Sequence, residues 1–163
     1  MTDIYLLLGT NLGNKPANIQ RAKELLTSHN IIVKKESRIY ETQAWGIEDQ
    51  PSFLNQVIIV DSNKSPQRIL AICQLIENEM GRVRHEKWGE RLIDIDILYF
   101  GEHQLTKEGL EIPHPGIPER RFTLMPLVEI SPELNHPTLE KTQVQLLAAC
   151  QDPLSVEIFE EPW

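Results

Sequence analysis

Cysteine is scarce: two in 163 residues argue against a disulfide framework. Cys73 and Cys150 stand far apart, form no CxxC pair and fall in helix-like apolar patterns. Such placement reads as buried free thiols in a reducing compartment. Long hydrophobic runs are missing as well. Residues 4–8 follow no basic n-region and are too short for an export signal. No segment approaches the ~20 apolar residues of a membrane helix, so a cytoplasmic protein is expected. Positive charge is in deficit, with 16 Lys+Arg against 24 Asp+Glu and a net charge of −8. General attraction to nucleic acid is therefore not expected. There are no internal repeats and no low-complexity tracts. What remains is an ordinary soluble composition, 40% hydrophobic and 25% charged with mean hydropathy −0.30. It predicts one domain over 1–163, large enough to build a core without covalent staples.

One stretch departs from the acidic average. Within 82–91, Arg82, Arg84, Lys87 and Arg91 stand against Glu86 and Glu90. A cationic segment in an acidic chain points to a local anion site rather than a sticky surface. Directly after it comes an apolar strand carrying Asp94 and Asp96. Alternation puts Ile93, Ile95, Ile97 and Tyr99 on one side, and Asp94, Asp96 and Leu98 on the other. Residues two apart share a face, with Cα atoms about 6.6 Å apart. Two carboxylates that close lose solvation and repel each other. They stay ionised where something cationic sits between them.

The order of elements follows from local patterns. Residues 3–8, DIYLLL, predict a strand buried on both faces, ending in GTNLGN at 9–14. That turn matches neither GxGxxG nor the P-loop spacing, and alone it is a tight β-to-α turn. Pro16 suits a first helical turn, and Ile19, Ala22 and Leu26 carry helical spacing to about residue 28. Residues 31–42 predict a strand broken near Lys35. The loop 43–51, with Trp45 in it, is too long for a tight hairpin turn. The next strand spans 53–61, with Asn55 near its start for either a strand-end hydrogen bond or a ligand contact. Ser65-Pro66 opens a second helix with an Ile69, Ile72, Ile76, Met80 stripe, closing at Gly81. Gln74 and Glu77 are near neighbours on its surface. After a turn at 101–102 and a connection over 103–112, IPHPGIP at 112–118 holds His114 in a rigid frame. A helix is predicted over 119–129, an irregular stretch over 132–142 and a last helix over 143–150. The order β–α–β–β–α–β specifies an α+β, ferredoxin-like core with an antiparallel sheet, helices on one face and C-terminal helical additions. The other face is expected to be open, with the aspartates on a central strand.

Several side chains keep two readings at this level. Trp88 is either a packing anchor or a lid that stacks on a ring. His114 either bonds locally or donates to a phosphate or a base edge. Arg82 and Arg84 project together in extended chain, and the arginine fork matches phosphate oxygens.

Taken together, GTNLGN (9–14), YET (40–42), DQPSFLNQV (49–57), IENEMGRVR (76–84), WGER (88–91), IDIDILYFG (93–101), IPHP (112–115) and ERRF (119–122) carry a resemblance. In order and spacing the chain resembles the 6-hydroxymethyl-7,8-dihydropterin pyrophosphokinases of folate biosynthesis. The resemblance implies transfer of pyrophosphate from ATP to the pterin hydroxymethyl group, with release of AMP. It implies that Asp94 and Asp96 hold two Mg²⁺ ions, with Arg82 and Arg91 catalytic beside them. Arg84, Arg120 and His114 would join these arginines at the phosphates. Gln74, Glu77, Lys87, Trp88 and Ile97 would lie on the ATP side. Asn55 and the backbone at Thr42, Gln43 and Trp45 would read the pterin's amide edge, Phe53 and Phe122 would stack on its faces, and Trp88 and Asp94 would adjoin it. A monomer acting on small molecules, away from nucleic acid and membrane, is the implied state. Lys87 stands where many members carry arginine, and Gly109 and Pro115 where some carry Arg and Tyr.

Two other functions fit parts of the pattern. A metal-dependent phosphohydrolase would use the same aspartates. An RNA-recognition module shares the βαββαβ order, but LIDIDILYF carries acids where its stacking aromatics belong.

Overall fold

The computed structural model describes residues 2–43, 51–81, 92–107 and 109–160. Strand β1 (Thr2–Thr10) lies between β4 (Phe53–Ser62) and β5 (Asp94–Phe100), antiparallel to both. It is buried on both faces, as its unbroken apolar run requires. Ile4, Leu6 and Leu8 enter the larger core beneath α1 (Lys15–Ser28) and α2 (Pro66–Met80); Tyr5 and Leu7 enter a second core on the opposite face. Both helices start where the sequence signals them. Asn14 Oδ1 accepts from Ala17 N at 3.2 Å, Ser65 Oγ accepts from Arg68 N at 3.2 Å, and each helix has proline in its first turn. Ile19, Ala22 and Leu26 of α1 and Ile69, Ile72 and Ile76 of α2 are buried against the sheet. Each fully buried aliphatic contributes about 1.5–3 kcal/mol, which far exceeds any propensity term.

The predicted 31–42 strand is two strands. β2 (Ile32–Glu36) and β3 (Tyr40–Thr42) pair with successive parts of β4 along one edge, and a register shift falls between Val33 and Lys35. Ser37 spans the gap. Its N–H donates to Val57 O at 2.9 Å, and its Oγ accepts from Val57 N at 3.1 Å. The backbone groups between the two strands are thus satisfied without continuous ladder pairing.

The sheet order β5-β1-β4-β3-β8 brings three corrections. Among the described residues β5 is an edge strand, not a central one. β8 (Val156–Ile158) pairs with β3 and had no local signal in the sequence. The connection at 103–112 is a small hairpin of β6 (Leu105–Lys107) and β7 (Leu110–Ile112), with Gly109 at φ 79° in its turn.

α1 and α2 cover one face, in keeping with the ferredoxin-like core. The opposite face is only partly open. α3 (Arg121–Ile130), preceded by a 3-10 turn at Ile117–Glu119, and α4 (Gln143–Ala149) place Leu124, Leu127, Ile130 and Leu146 over Leu7, Val57 and Ile59. Tyr99 belongs to this second core rather than with Ile93, Ile95 and Ile97. Tyr5 pairs with Tyr99 but Leu6 with Ile97, so Leu98 is an inserted residue and the side-chain phase inverts past it. Tyr99 meets Tyr5 edge-on at 5.8 Å, and its hydroxyl accepts from Gln143 Nε2 at 2.8 Å. Cys73 is buried, and burial pushes its thiol up to about 12, so it is inert. Cys150 is only half-buried, because it caps the short α4.

Candidate active site

The end of the second face that α3 leaves uncovered is where β1, β4 and β5 bring polar side chains into register. Gly9 pairs with Asn55 on one side and with Asp94 on the other, and Leu7 pairs with Asp96. Asn55, Gly9 and Asp94 therefore lie in a row across three strands. Gly9 is there for space. A Cβ at this position would come 2.7 Å from Asn55 Nδ2, so any larger residue pushes the amide away. Asn55 is buried, and its Nδ2 reaches Leu8 O at 3.4 Å.

These residues line a cavity of about 260 Å³. Asp94 and Asp96 of β5, Phe53 and Asn55 of β4, Thr42 of β3 with Gln43 after it, and Arg120 and Phe122 at the start of α3 line it. Thr42 Oγ1 is buried and has no hydrogen-bond partner among the described residues, a group left for something else to satisfy. Phe53 comes from the sheet and Phe122 from the helix layer. Two rings from different layers suit a flat heterocycle between them. The Arg120 guanidinium carbon lies 5.8 Å from the centre of the Phe122 ring.

Asp96 also lines a second cavity of about 370 Å³, with Ile95, Ile97, Lys107, Glu111 and His114. Glu77 braces the strand between the two aspartates: its Oε2 accepts from Ile95 N at 2.7 Å, which closes an exposed donor on the edge strand. His114 N donates to Leu98 O at 3.0 Å on the same edge. The His114 ring is oriented by its own loop. Gly116 N–H donates to Nδ1 at 2.9 Å, so the neutral imidazole carries its proton on Nε2. Burial lowers the pKa of His114 below 6.5. Asp96 and Glu111 oppose that shift, and Arg120 adds to it. A neutral Nε2–H donor is the form held at neutral pH.

His136 is held the same way. It is buried, its pKa is lowered by burial, and its Nδ1 accepts from Thr138 N at 3.2 Å and Leu139 N at 3.1 Å. Both histidines titrate lower in the folded chain than in the unfolded one. Between the two values the unfolded chain binds more protons, so stability is full above about pH 6.5 and falls as pH drops through it. Urea midpoints from about pH 5 to about pH 8 are expected to rise and then level, with His114→Gln and His136→Gln each flattening the rise. An unchanged slope in both variants would place the dependence elsewhere.

Of the residues named from the sequence, Thr42, Gln43, Phe53, Asn55, Asp94 and Phe122 come together in the first cavity, with Asp96 and Arg120. Ile97 and His114 line the second, and Glu77 adjoins it through Ile95. Gln74 is exposed on α2 and lines neither cavity. Trp45, Arg82, Arg84, Lys87, Trp88 and Arg91 lie outside the described residues. The turn at 9–14 is structural, as its sequence suggests: Asn18 Nδ2 donates to Leu12 O at 2.7 Å and to Thr10 Oγ1 at 3.2 Å. Leu7 and Leu154 line the first cavity without having been singled out. Leu7 looked like ordinary core, and nothing local marks Leu154.

Comparison with known proteins identifies a family. Residues 5–132 match the family model described as 7,8-dihydro-6-hydroxymethylpterin-pyrophosphokinase (HPPK). A 2-amino-4-hydroxy-6-hydroxymethyldihydropteridine pyrophosphokinase of Methylorubrum extorquens is 40% identical over 161 residues, covering 98% of this chain and all of that protein. The Bacillus subtilis protein of the same name is 42% identical over 127 residues, covering 77% of this chain and 76% of its own length. Among solved structures, wild-type HPPK-DHPS of Plasmodium falciparum with pteroate superposes with a TM-score of 0.72 at 17% identity, a likeness of fold alone. It covers 90% of this chain, which spans 42% of that longer one. By family model and by identity over 98% of its length, the chain belongs to the 7,8-dihydro-6-hydroxymethylpterin-pyrophosphokinase family.

Proposed function

We propose that this chain catalyses transfer of pyrophosphate from ATP to the hydroxymethyl group of 6-hydroxymethyl-7,8-dihydropterin, yielding the pterin diphosphate and AMP. The first cavity would hold the pterin and the second the nucleotide. The observation that carries this is Asp96: among the described residues it alone lines both cavities. A group transferred from one substrate to the other must pass such a point.

Each described side chain has a part that its chemistry allows. Asn55 and the Thr42 hydroxyl would meet the pterin's amide edge, where a buried amide supplies both donor and acceptor. Phe53 and Phe122 would hold the ring faces. The substrate hydroxyl oxygen attacks the β-phosphorus, the bond from that phosphorus to the oxygen of the leaving AMP breaks, and the hydroxyl proton is released. Arg120 and the Nε2–H of His114 would neutralise and orient phosphate oxygens, since positioning and charge compensation dominate phosphoryl chemistry. Arg82 and Arg91 would add to that compensation from the cationic segment. Gln74, Arg84, Lys87 and Trp88 would attend the nucleotide, and Gln43 and Trp45 the pterin.

Asp94 and Asp96 fit a magnesium site. They are two hard oxygen donors on one face of a strand, both half-buried and both lining the same cavity. With two protein carboxylates, Mg²⁺ would complete its shell with phosphate and water. Two bound Mg²⁺ ions would supply charge neutralisation on the triphosphate and favour ionisation of the attacking hydroxyl.

Among the described residues no helix is long and apolar enough to cross a membrane. A single-domain monomer acting in the cytoplasm on these small molecules completes the reading. Incubation with ATP, Mg²⁺ and the hydroxymethyl dihydropterin is expected to yield AMP and pterin diphosphate one for one. ATP hydrolysis indifferent to the pterin would favour the phosphohydrolase instead.

A further inference from the structure

The family match ends at residue 132, yet the first cavity has a wall beyond it. The N-cap residue of α3, Arg120, makes no side-chain capping bond. The first helical N–H is instead capped from 31 residues downstream: Arg121 N donates to Asp152 Oδ2 at 3.0 Å. The other oxygen of that carboxylate, Oδ1, accepts from Leu154 N at 3.0 Å. One side chain thus joins the helix start next to Phe122 to the backbone of Leu154, and both Phe122 and Leu154 line the cavity. The Arg121 guanidinium strengthens the joint, donating to Cys150 O at 3.2 Å and to Asp152 O at 3.0 Å. Two residues past Leu154, Val156 pairs with Thr42, which borders the same cavity. A carboxylate at a helix N-terminus is favoured by the unsatisfied N–H groups and the dipole. Here that preference is used to place a distant segment.

We infer that residues 150–158 complete the pterin-binding cavity, with Leu154 as an apolar contact to the heterocycle and Asp152 as a positioning residue for both Leu154 and Phe122. This rests on the first cavity being the pterin site. Among the described residues Leu154 is the one cavity-lining side chain from beyond residue 132, and without it a ring bound there would keep more water against one edge. The loss of one aliphatic contact then weakens binding about fivefold to tenfold. Nucleotide affinity is not touched, because Leu154 does not line the second cavity.

The test is equilibrium binding of 6-hydroxymethylpterin, followed by its fluorescence, with a non-hydrolysable ATP analogue present. Leu154→Ala is expected to raise the pterin Kd about fivefold to tenfold and leave the analogue's Kd within about twofold. Asp152→Ala is expected to do the same and to lower the melting temperature, with Asp152→Asn, which keeps one acceptor, in between. Asn55→Ala is the control for the site. Loss of pterin binding in Asn55→Ala with wild-type binding in Leu154→Ala would overturn the wall assignment alone. Wild-type binding in both would instead overturn the site. If Asp152→Ala lowers only the melting temperature, or weakens both ligands equally, its positioning role is wrong.

Discussion

Asp96→Asn is expected to lower kcat/KM by about three orders of magnitude while leaving the fold intact. Asparagine keeps the shape and removes the charge. That charge lies at the junction of the two cavities, on the face of β5 that bears Asp94. Its loss removes half of the carboxylate pair that would hold magnesium against the phosphates, and lysine or arginine nearby cannot substitute for an anion. The backbone cost is small. Leu7 still pairs with residue 96, and Glu77 still accepts from Ile95 N. Two carboxylates two residues apart on one face of a strand repel, so removing one is expected to leave the melting temperature at or above that of the wild type. A variant that lost activity together with its fold would make Asp96 a structural residue. One that turned over at near wild-type rates would remove it from the metal site.

The second large effect concerns the row Asn55, Gly9 and Asp94. Asn55→Ala is expected to reduce kcat/KM for the pterin by about a hundredfold or more, with ATP-analogue affinity unchanged. A site built to bond a substrate's polar edge leaves that edge unpaired when the amide goes, and an unpaired buried group costs about 1–3 kcal/mol apiece. Gly9→Ala is expected to reproduce most of this loss by displacing the amide, because its Cβ would stand 2.7 Å from Asn55 Nδ2. The double variant is then expected to lose little more than Asn55→Ala alone, since both remove one placement of one amide. Steady-state kinetics on the two singles and the double checks this. Additive losses would mean that Gly9 acts on something other than Asn55.

Much of this was legible before any coordinates. The first two helices declared themselves through Pro16 and through Ser65 with Pro66, and β1 through an apolar run with no polar side. The six described residues assigned to the pterin by resemblance lie on or beside four separate elements and still converge in one cavity. What escaped shares one physical origin, pairing between residues far apart in the chain. The extra residue at Leu98 inverts the alternation of β5, so Tyr99 faces Tyr5 and not the isoleucines. Apolar residues occupy both phases, and only the register against β1 reveals the slip. The edge position of β5 was hidden for the opposite reason. Its flanking isoleucines resemble a central strand because α2 covers one face, while Glu77 and His114 satisfy its outer backbone. β8 and Leu154 carry no pattern of their own, and they are placed by β3 and by Asp152. Gly9 was visible as a turn glycine, but the residue that it makes room for lies on another strand.

The most direct measurement is a crystal structure with a non-hydrolysable ATP analogue, Mg²⁺ and the hydroxymethyl pterin. The expected result places the ring between Phe53 and Phe122 with its amide edge on Asn55, and the triphosphate beside His114. Magnesium is expected on Asp94 and Asp96, with the hydroxymethyl oxygen facing the β-phosphorus. A pterin bound away from Asn55, or metal and phosphates that do not engage Asp96, would contradict it.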